Sequence, residues 1–156
     1  MARALSDDLA HALRANNLVQ VYQPQFDSAS HCIGAEALLR WNHGNLGAIY
    51  PPLIVKLAEE NDLLPRLEEQ IFKQSVEASE AARKATGKSL KMSVNVCPAT
   101  LNEPGYLDFV KDTVAHANVD PSTICLEITE QMAFELNTHR GRARRAAWHR
   151  NTPGHR

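Results

Sequence analysis

Apolar side chains recur along the chain with two different periods, and stretches of each period alternate. Leu9, Leu13 and Leu18 form a helical stripe behind Ser6-Asp7-Asp8, which has the polar character of a helix start. Val21 to Phe26 predicts a strand, Asp27-Ser28-Ala29-Ser30 has turn chemistry, and Cys32 to Trp41 predicts a second, more apolar strand. Asn42 to Pro52 holds two glycines and two prolines and predicts a loop. Helical spacing then runs from Leu53 to about Ala85, through Ile54, Leu57 and Ala58 and then Leu67, Ile71 and Val76. Asn61-Asp62 and Pro65 split that stretch into two helices, and Gly87 is a C-terminal stop. Leu90 to Cys97 predicts a third strand, and Tyr106 to Ala117 a helix with Leu107, Val110 and Val114 on one face. Ile124 to Thr129 predicts a fourth strand, with another helix starting after it. Strands alternating with helices predict an α/β fold with a mostly parallel sheet.

Three of these strands carry a polar side chain where a strand covered on both faces should be wholly apolar. Glu36 lies within Ile33-Gly34-Ala35-Glu36-Ala37-Leu38, Asn95 within Met92-Ser93-Val94-Asn95-Val96, and Glu127 within Ile124-Cys125-Leu126-Glu127-Ile128. Burying a lone carboxylate costs several kcal/mol, about the effective penalty for a buried ion. A hard divalent cation offsets such a cost, because carboxylate and amide oxygens suit magnesium or manganese. The other reading puts Glu36 and Glu127 on the solvent faces of amphipathic strands. Arg40 shares the parity of Glu36, so both project to one face. A guanidinium there suits either phosphate recognition or an ion pair with a carboxylate. Gln23 and Gln25 alternate with Tyr22, Pro24 and Phe26, and fit a ligand contact or a solvated edge. Glu59-Glu60 and Glu68-Glu69 read as solvated helix faces.

Composition narrows the class. Of 156 residues, 44% are hydrophobic and 22% charged, as in a globular domain rather than a disordered chain. No apolar run approaches the ~18 residues of a membrane span, and the N-terminus has no apolar signal core. The expected location is therefore the cytoplasm, with neither a membrane nor a nucleic acid as partner. Cys32, Cys97 and Cys125 are scattered, with no Cys-x-x-Cys pair, and are expected to be small buried residues. There is no His-Glu-x-x-His and no phosphate-binding glycine loop. The net charge of −1 hides an asymmetry. Residues 138–156 hold six arginines, three histidines and no acid, whereas residues 1–137 carry 11 basic against 18 acidic side chains. An acidic body does not favour nucleic acid.

Taken in order and spacing, Tyr22-Gln23-Pro24, Glu36-Ala37-Leu38-Leu39-Arg40-Trp41, Leu57-Ala58-Glu59-Glu60, Ser93-Val94-Asn95-Val96 and Leu126-Glu127-Ile128-Thr129-Glu130 resemble the EAL domain. The resemblance spans about residues 9–137. It implies a TIM-like (β/α) barrel with one strand reversed, of which this would be the first half. It also implies a phosphodiesterase that linearises the bacterial second messenger cyclic di-GMP to pGpG. Glu36, Asn95 and Glu127 match the family's metal-ligand positions, and Gln23, Leu38 and Arg40 match positions that hold the dinucleotide. Magnesium or manganese would polarise the phosphodiester and generate hydroxide from water.

Departures from the family pattern accompany the match. Cys97 stands where the family usually has Ser, and Tyr50 and Lys56 replace commoner residues around Pro51. The family's Asp-Asp-Phe-Gly segment, and the Lys, Glu and Gln beyond it, are absent. A barrel of this kind takes ~250 residues. Residues 1–137 are therefore expected to be a truncated EAL domain and 138–156 an arginine-rich tail, frame-shifted or disordered. Back-translation of Trp148 to Arg156, read one base forward, permits Gly-Thr-Gly-Ile-Arg-Leu-Ala-Ile-Asp, close to the strand expected there. Three functions follow for comparison: an EAL phosphodiesterase truncated to inactivity, a degenerate domain that binds a nucleotide or protein without turnover, and an inert fragment. An unpaired barrel edge would also favour self-association.

Overall fold

The structure, a computed structural model, describes residues 2–128. The end of the predicted fourth strand at Thr129, the helix expected after it and the tail 138–156 lie outside the described residues. Elements follow in the order α1 (Ala2–Arg14), β1 (Val19–Phe26), β2 (Cys32–His43), β3 (Gly47–Ile49), α2 (Pro51–Glu60), α3 (Leu64–Thr86), β4 (Lys91–Asn95), α4 (Pro98–Leu101), α5 (Tyr106–His116) and β5 (Ile124–Glu127). Among the described residues, no helix is long and apolar enough to cross a membrane.

The sheet order is β1-β2-β4-β5, with the short β3 paired to the end of β2. β2 and β4 are parallel, as are β4 and β5, each pair joined through helices. β1 runs antiparallel to β2, the reversed strand that the resemblance implies. Helices α1, α2, α3 and α5 cover one face. There Ala37, Leu39 and Trp41 of β2 and Met92 and Val94 of β4 meet Leu9, Leu13, Ile54, Leu57, Leu67, Phe72, Val76 and Val110. Burying a side chain of this size contributes ~1.5–3 kcal/mol. The opposite sheet face carries no helix among the described residues.

Local chemistry explains the boundaries. Pro51 and Pro52 open α2, where a missing N–H costs nothing, and Asn61 ends it by donating from its side chain to Leu57 O at 2.7 Å. Gly87 ends α3 at φ 69°, a left-handed cap that glycine adopts without strain. At the end of β2, His43 Nε2 meets Asp8 Oδ2 of α1 at 3.0 Å, and the imidazole stands edge-on to the buried Trp41 indole, with centroids 5.3 Å apart.

Four details differ from expectation. α1 starts at Ala2 rather than near Ser6. The loop after Trp41 contains β3, a three-residue strand too short to register as a period. In α5, Tyr106 is buried and Leu107 is exposed, because the inward stripe runs through Tyr106, Val110 and Val114. Of the cysteines only Cys97 is fully buried. Cys32 is exposed at the outer end of β2, and Cys125 is half-buried.

Candidate functional site

Register decides which side chains share the uncovered face. Gln23 of β1 lies opposite Glu36 of β2, Glu36 lies opposite Ser93 of β4, and Ser93 lies opposite Cys125 of β5. Two residues further along their strands, Asn95 lies opposite Glu127. Adjacent strands are ~4.8 Å apart, so register partners on one face are neighbours. Asn95 and Glu127 are the last residues of β4 and β5. Asn95 Nδ2 donates to Glu36 Oε1 at 2.9 Å. The structure therefore brings Glu36, Asn95 and Glu127 onto one face, Asn95 and Glu127 at the C-terminal ends of their parallel strands, where barrels build their sites, and Glu36 within β2 in reach of Asn95.

The remaining expected residues fall around them. Leu38 and Arg40 follow Glu36 on the same side of β2, Leu38 half-buried and Arg40 exposed. Arg40 makes no ion pair among the described residues; its guanidinium donates to Leu39 O at 2.8 Å. Gln23 is exposed beside Glu36, and Gln25 lies on the same face opposite Gly34. Tyr22 points to the other face, where its hydroxyl donates to Gln74 O of α3 at 3.1 Å.

The donor set fits a hard divalent cation. Glu36 and Glu127 are half-buried carboxylates without an ion-pair partner among the described residues. With its nitrogen on Glu36, the Asn95 amide turns its oxygen elsewhere. Two carboxylates and an amide oxygen are ligands of the kind magnesium and manganese prefer. No group of three His, Cys, Asp or Glu side chains suited to a metal occurs among the described residues.

One buried group departs from the expected pattern. Glu68 is 5% exposed, not solvated. It lies on the inward stripe of α3 with Leu64, Leu67, Ile71 and Phe72. Its Oε1 accepts from Cys97 N at 2.7 Å, while Oε2 finds no partner. The Thr100 hydroxyl stands near the same carboxyl without closing a hydrogen bond of good geometry. Burial raises the Glu68 carboxyl above its ordinary value, opposed by the bonds from Cys97. Burial and the Glu68 charge push the Cys97 thiol far up, so it is an inert packing residue rather than a nucleophile. The stripe spacing that placed Leu64 and Ile71 inward also placed Glu68 inward; residue type alone concealed it.

Comparison with known proteins completes the picture. The EAL domain model matches residues 6–151. An uncharacterized protein of Mycobacterium tuberculosis (strain ATCC 25618 / H37Rv) is 31% identical over 137 residues, covering 86% of this chain and 22% of that protein. The probable cyclic di-GMP phosphodiesterase PdeI of Escherichia coli (strain K12) is 30% identical over 138 residues, covering 86% of this chain and 18% of PdeI. Among solved structures, the PaMucR phosphodiesterase in complex with c-di-GMP superposes with a TM-score of 0.73 at 28% identity, covering 85% of this chain and 56% of that one. The Xanthomonas citri FimX EAL domain in complex with c-diGMP superposes with the same TM-score at 19% identity, covering 86% and 52%, a likeness of fold. The chain spans about a fifth of these curated relatives and about half of these solved chains. Its α/β fold is the first part of a TIM-like barrel, and the chain belongs to the EAL domain family.

Proposed function

We propose that this chain carries the first half of a metal-dependent cyclic di-GMP phosphodiesterase site, and that the 156-residue polypeptide by itself does not turn the dinucleotide over. The observation that carries this reading is that Glu36, Asn95 and Glu127 share one face, with Asn95 and Glu127 at the ends of their strands and Asn95 hydrogen-bonded to Glu36, beside Gln23, Leu38 and Arg40. The residues fit their roles chemically. Glu36, Asn95 and Glu127 would hold magnesium or manganese through oxygen. When bound, that ion polarises the phosphodiester and lowers the barrier to water attack. Arg40, exposed and not engaged with a carboxylate, is available to a phosphate. Gln23 supplies amide donors and acceptors for a base or ribose, and Leu38 gives the nucleotide an apolar contact. Hydrolysis to linear pGpG would need further acidic ligands beyond these three, since two-metal sites hold their ions ~3.5–4 Å apart with ligands on both sides.

The alternative is a domain that binds nucleotide or protein without catalysis. Calorimetric titration of the chain with manganese, then with cyclic di-GMP, separates the readings, with chromatography reporting linear product. The expected outcome is saturable manganese uptake that Glu36→Ala abolishes, dinucleotide binding weakened at least tenfold by Arg40→Ala, and no linear product. Hydrolysis that disappears on Glu36→Ala would overturn the inactivity. Dinucleotide binding indifferent to metal and to Glu36 would favour the non-catalytic domain.

A further inference from the structure

We infer that Glu68 is a positioning residue, which sets the Asn95 amide at the candidate metal centre from the far side of the sheet. The inference rests on the reading of Asn95 as a metal ligand, and its test includes a readout that does not.

The position of Glu68 calls for an explanation, because Leu64, Leu67, Ile71 and Phe72 around it are apolar and a leucine would satisfy the same stripe. Glu68 is the one charged side chain that is fully buried among the described residues. A buried carboxylate carries a desolvation cost, so an apolar residue would be preferred on packing alone. What Glu68 provides is an acceptor that neither neighbouring element supplies. β4 ends at Asn95. The next N–H, of Val96, continues the ladder to Glu127 O at 2.9 Å. The one after, of Cys97, lies beyond the strand and before α4, whose first residue is Pro98. Cys97 is buried, so its N–H would have no water to turn to. Glu68 Oε1 accepts it at 2.7 Å.

Two consecutive amides after Asn95 are thus fixed in different directions, Val96 to β5 and Cys97 to α3. Between them they set the peptide planes that leave Asn95, and hence the direction of its side chain. That side chain reaches Glu36 Oε1 at 2.9 Å. Glu68 and Glu36 therefore hold opposite ends of one three-residue segment, one from the helix layer and one from the open face. Support of this kind behind a metal ligand is typically worth about 10–100-fold in metal affinity.

The test compares Glu68→Gln, Glu68→Asp and Glu68→Leu in the full chain, with urea unfolding run alongside. Gln keeps the length and the acceptor. Asp keeps the charge but withdraws the acceptor by one methylene, and Leu keeps the packing alone. In nitrogen-15 spectra, the Cys97 backbone amide and the Asn95 side-chain amide should hold their positions in Glu68→Gln and move together in Glu68→Asp. Manganese affinity should stay within about threefold of wild type for Glu68→Gln and fall about tenfold or more for Glu68→Asp and Glu68→Leu. The two amides report without metal, so they decide the role of Glu68 even if manganese does not bind; lack of manganese binding by the wild type would instead refute the metal reading. If Glu68→Leu unfolds, the comparison of Gln with Asp still decides. An Asn95 amide unmoved in Glu68→Asp, or an affinity that follows urea stability alone, would overturn the positioning role.

Discussion

Glu68 also gives the chain a pH dependence with a definite sign. Its carboxyl is raised on folding, chiefly by burial, above the ordinary 4.5. An acid raised in this way binds more protons in the native state than in the unfolded one. Its contribution to stability is complete below about 4.5 and is lost as pH climbs through the raised native value. The unfolding free energy of wild type minus that of Glu68→Gln should therefore decline from pH ~4 to ~7, a difference that cancels the other carboxylates. Urea titrations of both proteins across that range check it, and a difference that rises with pH would contradict the burial account. At this scale the sequence was legible wherever parity sufficed. Parity put Glu36 and Arg40 on one face of β2, but it does not relate one strand to the next; the family resemblance grouped Glu36 with Asn95 and Glu127, and the register of β2, β4 and β5 is what places them side by side. Glu68 was not legible by residue type, since a glutamate beside Glu69 on a helix is ordinarily solvated. Its partner is a backbone N–H 29 positions away, which no local pattern encodes.

Pairs of elements constrain the site next. β2 passes close to β4 at Gly34, where an added Cβ would lie 2.5 Å from Lys91 O. That atom is backbone and cannot swing aside. Gly34→Ala should separate the two strands locally and destabilise the chain by about 1–3 kcal/mol, as other overpacked positions do. The shift in the urea midpoint measures it. Because Glu36 lies two residues on, the same variant should also move the Asn95–Glu36 contact. Long periodic elements were predictable: α3 from its stripe and its Gly87 cap, β2 from its apolar run. Short ones were not. β3 and α4 have three and four residues, little more than one repeat of strand or helix pattern, too few for a period to stand out. The antiparallel sense of β1 is likewise invisible in the strand itself; the family resemblance alone supplied it.

At the scale of the whole chain, the sheet is open on both sides among the described residues. β1 and β5 each have one strand neighbour, and Val19 and Val21 on the uncovered face are exposed. Unpaired edges bearing apolar residues recruit other strands. The 156-residue polypeptide should therefore associate at micromolar concentration, and Val21→Lys, a charge on the edge strand, should shift it toward monomer. Light scattering against concentration reads this directly, and a monomer at every concentration would count against an accessible edge. Trp41 offers a way to follow the fold while such experiments run. Its indole is buried, faces the His43 ring, and through that ring is tied to Asp8 of α1. Emission from this indole is therefore an intrinsic optical gauge of whether the first helix is docked on the sheet. The chain has one other tryptophan, Trp148, so Trp148→Phe turns that gauge into a single-fluorophore signal.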